Sequence, residues 1–147
     1  MVVVMFSFTI HSFNSLKNQA VSQPHFFVLC KGLNSGKPLE KPCPNCFVIT
    51  VKTEEEKQFL YWLCWGLWQS KKFYYLHTGS VIPFIRLHEF KPFIKEEAVR
   101  AFAAKEQYHN NIKTLQQLEA LEKNYKQNLL LIMDAKRAIF YKATARR

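Results

Sequence analysis

Apolar residues come first in short β-branched and aromatic runs, and later at helical spacing. Val2–Ile10 is such a run and predicts a buried first strand. The polar stretch "HSFNSLKNQAVSQP" that follows predicts a loop ending near Pro24. "HFFVLCK" (25–31) and "CFVITVK" (46–52) predict second and third strands. Between them, "GLNSGKPLEKPCPN" (32–45) holds turn residues and three prolines, so it should be irregular.

The pattern then changes period. Thr53 precedes Glu54, Glu55 and Glu56, a hydroxyl cap ahead of three acids that suit the positive end of a helix. Thr53 and Glu56 have capping-box spacing, so a helix is predicted from there to about Ser70. Phe59, Leu60, Leu63, Leu67 and Trp68 form its apolar stripe, which Tyr61, Trp62 and Trp65 widen. A helix apolar nearly all round should be a central buried element. "KKFYYLHTGSVIPFIRL" predicts extended segments around 73–77 and 81–86, separated by the Thr78-Gly79-Ser80 turn. Pro83 has no amide proton and belongs on an edge strand or at a bulge.

From Lys95 the apolar residues fall mostly three or four apart, through Ala98, Phe102, Ile112, Leu115, Leu118, Leu121 and Tyr125. "YHNN" (108–111) is the expected break between two helices, since Asn caps helices but favours their interiors poorly. A heptad frame places Leu118, Tyr125, Ile132 and Ile139 at one seam position, and Leu121, Asn128 and Ala135 at the other. Packing on its own domain and pairing between molecules both remain open for this helix. The predicted fold class is α+β: a small mixed or antiparallel sheet packed on an aromatic-rich helix, followed by a long C-terminal helix or helical hairpin. The expected division is a globular domain over residues 1–94 and a helical arm over 95–147.

Composition adds a charge argument. The 147 residues carry 21 Lys and Arg against 11 Asp and Glu, a formal charge of +10. Such an excess favours a polyanionic partner, nucleic acid ahead of a membrane surface. It is spread evenly, ten basic against five acidic residues to position 94 and eleven against six beyond it. No basic tail accounts for the surplus, so it must lie on folded surface. "MVVVMFSFTI" is too short to span a bilayer and no basic residue precedes it, so it reads as a strand rather than a signal. The expectation is a soluble, cytoplasmic protein with no membrane contact and with its four cysteines reduced.

Catalytic raw material is scarce. The chain has no Gly-x-Ser-x-Gly and no phosphate-cradling glycine loop, and Asp134 is its single aspartate. An enzyme is not expected, and no cofactor is. Cys43 and Cys46 have the spacing at which two thiolates can share a zinc ion, but no second such pair exists. A structural loop stiffened by Pro42 and Pro44 is the preferred reading. More suggestive is "QSKKFYYLHTGS" (69–80), where Lys71 and Lys72 could neutralise phosphates while Phe73, Tyr74, Tyr75 and His77 offer faces for stacking or groove contact. Arg86 and Lys91 extend this basic character, and an arginine can read guanine with two hydrogen bonds. In the plainer alternative, Phe73, Tyr75 and Leu76 fill core and the lysines are merely solvated.

The order of these features resembles a known arrangement. "FLYWLCWGLWQSKKF", "GSVIPFIRLHEFKPFI" and "LEALEKNYKQNLLLIMDAKRAIF" are similar to the helix, turn-strand and spacer helix of type I restriction-modification specificity subunits. The similarity runs from Thr53 to Phe140, with "KPFIKEEAVRAF" standing where that family has a Pro-rich junction. It implies a half-subunit-like DNA-binding module in which Gly79, Ser80 and Pro83 are scaffold. The whole chain more closely resembles a family of short uncharacterised bacterial and phage proteins, on "HFFVLCKGLNSGKPLEKPCPNCFV", "LWQSKKF" and "GSVIPFIR". The leading expectation is a double-stranded DNA binder using Lys71, Lys72, Tyr74, Tyr75, Arg86 and Lys91. Residues 112–142 would serve a homodimer or a larger protein partner. The alternatives are an interaction or structural accessory factor of a mobile element or phage, and a small zinc-bound module.

Overall fold

The computed structural model describes residues 7–14 and 22–145. The chain forms two compact units, Met1–Ala104 and Lys105–Arg147. The first opens with strands β1 (Thr9–Ser12), β2 (His25–Leu29), β3 (Pro38–Leu39) and β4 (Cys46–Thr50). They make one antiparallel sheet in the order β1-β4-β2-β3. Helix α1 (Glu54–Gln69), a 3-10 turn (Lys72–Leu76), the two-residue strands β5 (His77–Thr78) and β6 (Phe84–Ile85), and helix α2 (Leu87–Ala103) complete it. The second unit is helix α3 (Lys105–Thr144). The protein is thus α+β, a small antiparallel sheet with helices and a long C-terminal helix.

Register explains the layering. Side chains alternate between the two faces of a strand. Phe26 therefore shares a face with its partner Ile49, as Val28 does with Phe47, and Ile10 joins them opposite Ile49. This face receives the helices: the Phe26 ring meets Tyr61 of α1 edge-on at 5.5 Å, and Phe47 lies 4.9 Å from Phe90 of α2. The opposite face is apolar too, with Phe27, Cys46 and Val48 covered by Phe13, Leu39 and Cys43. Burial on both faces is why β2 and β4 read as continuous apolar runs. Full burial of Phe26, Phe73 and Phe90 stabilises the unit by roughly 1.5–3 kcal/mol each.

Helix α1 begins as its sequence dictates. The Thr53 hydroxyl accepts from the Glu56 amide at 3.2 Å, while the Glu56 carboxylate accepts from the Lys52 amide at 3.0 Å. Its buried stripe is Leu60, Leu63, Cys64 and Leu67, at intervals of three, one and three residues. The expectation of burial nearly all round is corrected here. Phe59, Tyr61, Trp62, Trp65 and Trp68 are half-buried, because the sheet and α2 cover one side of the helix only.

Other expectations also shift. The first strand occupies Thr9–Ser12, and residues 2–6 of the expected run lie outside the described residues. A two-residue strand, β3, forms inside the 32–45 stretch and pairs with Phe27 and Val28. Residues 73–76 coil into a 3-10 turn instead of extending, because Phe73 tucks inward against Phe90 and Phe93, at 5.8 and 5.6 Å. The extended part of 81–86 shrinks to Phe84–Ile85, which pairs with His77–Thr78. Helix α2 starts eight residues earlier than Lys95, at Leu87. Pro92 lies inside it and removes the amide that would reach the His88 carbonyl, yet burial of Phe90, Ile94 and Ala98 at four-residue steps holds the helix. The break between helices falls at Ala104 rather than 108–111. Asn110 and Asn111 continue α3, since an asparagine costs a helix interior only about 0.7 kcal/mol or less. Ala103-Ala104-Lys105 contains no helix-stopping residue to mark the true break. Among the described residues, no helix is long and apolar enough to cross a membrane.

Candidate nucleic-acid interface

The candidate surface is built at the end of α1. The Ser70 amide bonds the Gly66 carbonyl and the Lys71 amide bonds the Trp68 carbonyl, closing the helix. Lys71 then takes φ 61°, the only positive φ outside glycine among the described residues. A left-handed residue after a helix reverses the chain, a role usually given to glycine. The reversal starts the 3-10 turn, whose Tyr74 amide bonds the Lys71 carbonyl at 3.1 Å.

Within this turn the side chains separate by role. Phe73 points into the core with 1% of its surface exposed, and its ring lies against the Gly36 backbone. A Cβ on Gly36 would stand 2.1 Å from that ring, and Gly36 has φ 98°, so glycine is required twice over. Tyr75 is 90% exposed and Tyr74 half-exposed. In the plainer reading Tyr75 would have filled core; of the three residues it named, only Phe73 is fully buried, and Leu76 is half-buried. The Tyr74 ring lies 4.9 Å from the His77 ring, and the Lys71 ammonium stands 5.9 Å over Tyr74. His77 Nε2 is buried and meets no hydrogen-bond partner among the described residues, so this ring supports Tyr74 rather than reaching outward.

Lys72 is partly engaged. Its ammonium lies 3.9 Å from Glu97, a nearly buried carboxylate of α2 that also accepts from Arg100 at 3.0 Å. Glu97 was not foreseen; the signal available in the sequence is its three-residue spacing from Arg100. Arg86 is exposed at the N-cap position of α2, makes no capping bond with its side chain, and lends its carbonyl to the Glu89 and Phe90 amides. Lys91 is half-buried one turn on. The structure therefore gathers Lys71, Tyr74 and His77 into direct contact, with Tyr75 on the same turn. Arg86 and Lys91 stand on a separate element, tied to the turn through the packing of Phe73 on Phe90 and Phe93.

The scaffold residues have clear reasons. Gly79 has φ 96°, and a Cβ there would meet the Ile82 carbonyl at 2.9 Å and the Phe84 ring at 3.3 Å. Ser80 is exposed. The Pro83 carbonyl accepts from Gly32 at 2.7 Å, and Ile85 donates to the Cys30 carbonyl at 2.9 Å, which seats β6 against the end of β2. The loop thus held presents Val81 and Ile82 to solvent, and Leu33 is exposed in the neighbouring loop. On α1, the Lys37 ammonium stands 5.2 Å over Trp68, and Trp62 and Trp65 lie 5.5 Å apart. Neither this aromatic face nor the Val81-Ile82 tip was singled out from the sequence, where each reads as core.

Cys43 and Cys46 form a closed local structure. The Cys46 thiol donates to the Cys43 carbonyl at 3.0 Å and its sulfur faces the Cys43 amide at 3.4 Å. Burial pushes the Cys46 thiol up to about 11, and burial first, then the neighbouring Cys43, pushes Cys30 upward. A thiol held protonated and donating to a carbonyl is poorly prepared to ligate metal as a thiolate. Among the described residues, no group of three His, Cys, Asp or Glu side chains could hold a metal ion.

The architecture defines a class, a small α+β unit joined to a long helix with an exposed Lys-Tyr turn beside its first helix. Residues 10–142 match a family of unknown function (DUF6943), and the chain belongs to that family. This agrees with the resemblance to an uncharacterised family, while the likeness to restriction specificity subunits gains no support from it. No curated protein and no solved structure matches the chain.

Proposed function

We propose that the protein is a non-enzymatic binder of double-stranded DNA, acting in the cytoplasm, that approaches the duplex with the Lys71–His77 turn. The observation that carries this reading is the turn itself. Lys71 and Tyr74 are in cation–π contact and Tyr75 is almost wholly solvated, beside a chain of formal charge +10. Cations position a protein on phosphates, and an exposed tyrosine adds a face for sugar or base. Arg86 and Lys91 widen the contact from α2. The basic surplus is spread along the chain rather than held in a tail, which favours an extended polyanion such as duplex DNA.

The test is binding of a mixed-sequence duplex followed by anisotropy across salt. If Lys71, Lys72, Arg86 and Lys91 each neutralise one phosphate, log K should fall against log salt with a slope of about −3.6. Between about 50 and 200 mM salt this weakens binding roughly a hundredfold, and each Lys→Ala or Arg→Ala change should flatten the slope by about 0.9. Unaltered DNA mobility at low salt and micromolar protein would overturn the proposal.

A second reading, a protein-interaction accessory factor of a mobile element or phage, is favoured by the apolar residues left exposed along α3. A defined oligomer by light scattering, indifferent to Lys71→Ala with Lys72→Ala and inert toward DNA, would select it.

A further inference from the structure

Helix α3 runs for 40 residues, and none of its described residues is buried. Helices draw most of their stability from packing an apolar face, so a seam this long left in water calls for an occupant. Leu118, Tyr125, Ile132 and Ile139 recur every seven residues and are all about half or more exposed. Leu121, Asn128, Ala135 and Lys142 follow three positions after each. From Leu118 to Lys142 the seam spans about 36 Å at 1.5 Å per residue. The charges are not evenly spread along it. Lys105–Glu122 holds two lysines against three glutamates, whereas Lys123–Thr144 holds five basic residues against Asp134 alone.

We propose that α3 pairs with α3 of a second copy of this chain, antiparallel, in the register that sets Leu121 against Ile139 of the other copy. Orientation follows from complementarity in charge and in volume. In this register Tyr125 faces Ala135, a large side chain against a small one, on both sides of the two-fold axis. The positions flanking the seam bring Glu122 against Lys136 of the second copy, again twice by symmetry. Leu129 and Leu131 each meet their own counterparts at the axis. That accounts for Leu129, Leu131 and Ile132 of the apolar run "LLLIM" (129–133), where the seam is wider than elsewhere along the helix. The opposed helix dipoles add a further favourable term.

The parallel arrangement lacks these matches. It would stack Tyr125 on Tyr125, Ala135 on Ala135 and Lys142 on Lys142, alternating crowding, void and repulsion. Glu122 would face Gln117 and Lys136 would face Leu131, so no charge pair forms across the seam. Its one gain is an Asn128 pair, where the antiparallel register sets Asn128 against Ile132. The antiparallel register also sets Leu118 against Lys142 at both ends of the seam, where the lysine stem can lie along the leucine while its ammonium reaches water. Two charge pairs and two size-matched layers outweigh the single polar match of the parallel form. This inference is independent of the DNA-binding reading.

Sedimentation equilibrium of the full chain at low salt tests it. The wild type should be a monomer–dimer system, and Glu122→Lys or Lys136→Glu alone should weaken dimerisation about tenfold. Each reversal turns two attractions into two repulsions, and an exposed pair contributes a factor of a few. The double variant Glu122→Lys/Lys136→Glu should return to within about threefold of wild type. Glu122 also pairs with Lys126 within its own helix. That pair is lost in Glu122→Lys and in the double variant and kept in Lys136→Glu, so it cannot produce the rescue. A monomer at all concentrations, a dimer indifferent to both single reversals, or single losses that the double variant does not repair would each overturn the proposal.

Discussion

Lys71 combines two demands on one residue. Its φ of 61° suits glycine, and a non-glycine residue there costs about 1–2 kcal/mol in local strain. Its ammonium, meanwhile, lies over the Tyr74 ring. Lys71→Gly should therefore raise stability to urea by about 1 kcal/mol while weakening DNA binding. Denaturation and anisotropy on the same variant separate the two effects, and a variant that is more stable with unchanged affinity would remove Lys71 from the interface. The lysine itself was legible in the sequence as a charge beside tyrosines. Its backbone conformation was not, because nothing in "QSKKF" announces a left-handed residue in the place of a glycine. Tyr75 was equally ambiguous: an aromatic beside an apolar helix is core or surface according to which way a single turn coils.

At the scale of elements, Glu97 is the pivot between α2 and the 3-10 turn. It shares its carboxylate between Arg100 on its own helix and Lys72 on the turn. Both cations are more than half exposed, so their pairs together contribute no more than about 1 kcal/mol. Glu97→Gln should lower stability by that order and release Lys72, tightening DNA binding severalfold. A loss of affinity with Glu97→Gln would show that the carboxylate orders the turn rather than restraining its charge. The bounds of helix α1 were legible because its cap, its acidic first turn and its apolar spacing agree, whereas its one-sided burial was not. Helix α2 was misplaced because Pro92 argues locally against a helix that Phe90, Ile94 and Ala98 stabilise by tertiary burial. The strands β5 and β6 were shortened for a related reason: Phe73 finds its pocket against Gly36 only if the chain coils before them.

Across the whole molecule, the two units differ in what holds them. The first has a sheet buried on both faces and helices over one of them, so its β2 and β4 amides should exchange slowly at any protein concentration. The second is a helix without buried residues, and its amides should exchange quickly in dilute solution. On concentration, protection should rise in residues 118–142 and stay constant in 25–29 and 46–50, as hydrogen exchange with mass spectrometry would record. Protection of α3 that is high and independent of concentration would mean that the helix is stabilised within one chain. The sequence showed the seam of α3 clearly, since a repeat of seven is a property of residue type. It did not show whether the seam is filled within the chain, because exposure belongs to the folded structure.

The left-handed lysine also bears on how the family should vary. A position that asks for glycine will drift toward Gly, Asn or Asp in any relative that has no use for the side chain. Where Lys or Arg persists there, selection has kept a charge against the preference of the backbone. The residue after the first helix thus sorts relatives into those that retain this contact and those that have given it up, before any of them is purified.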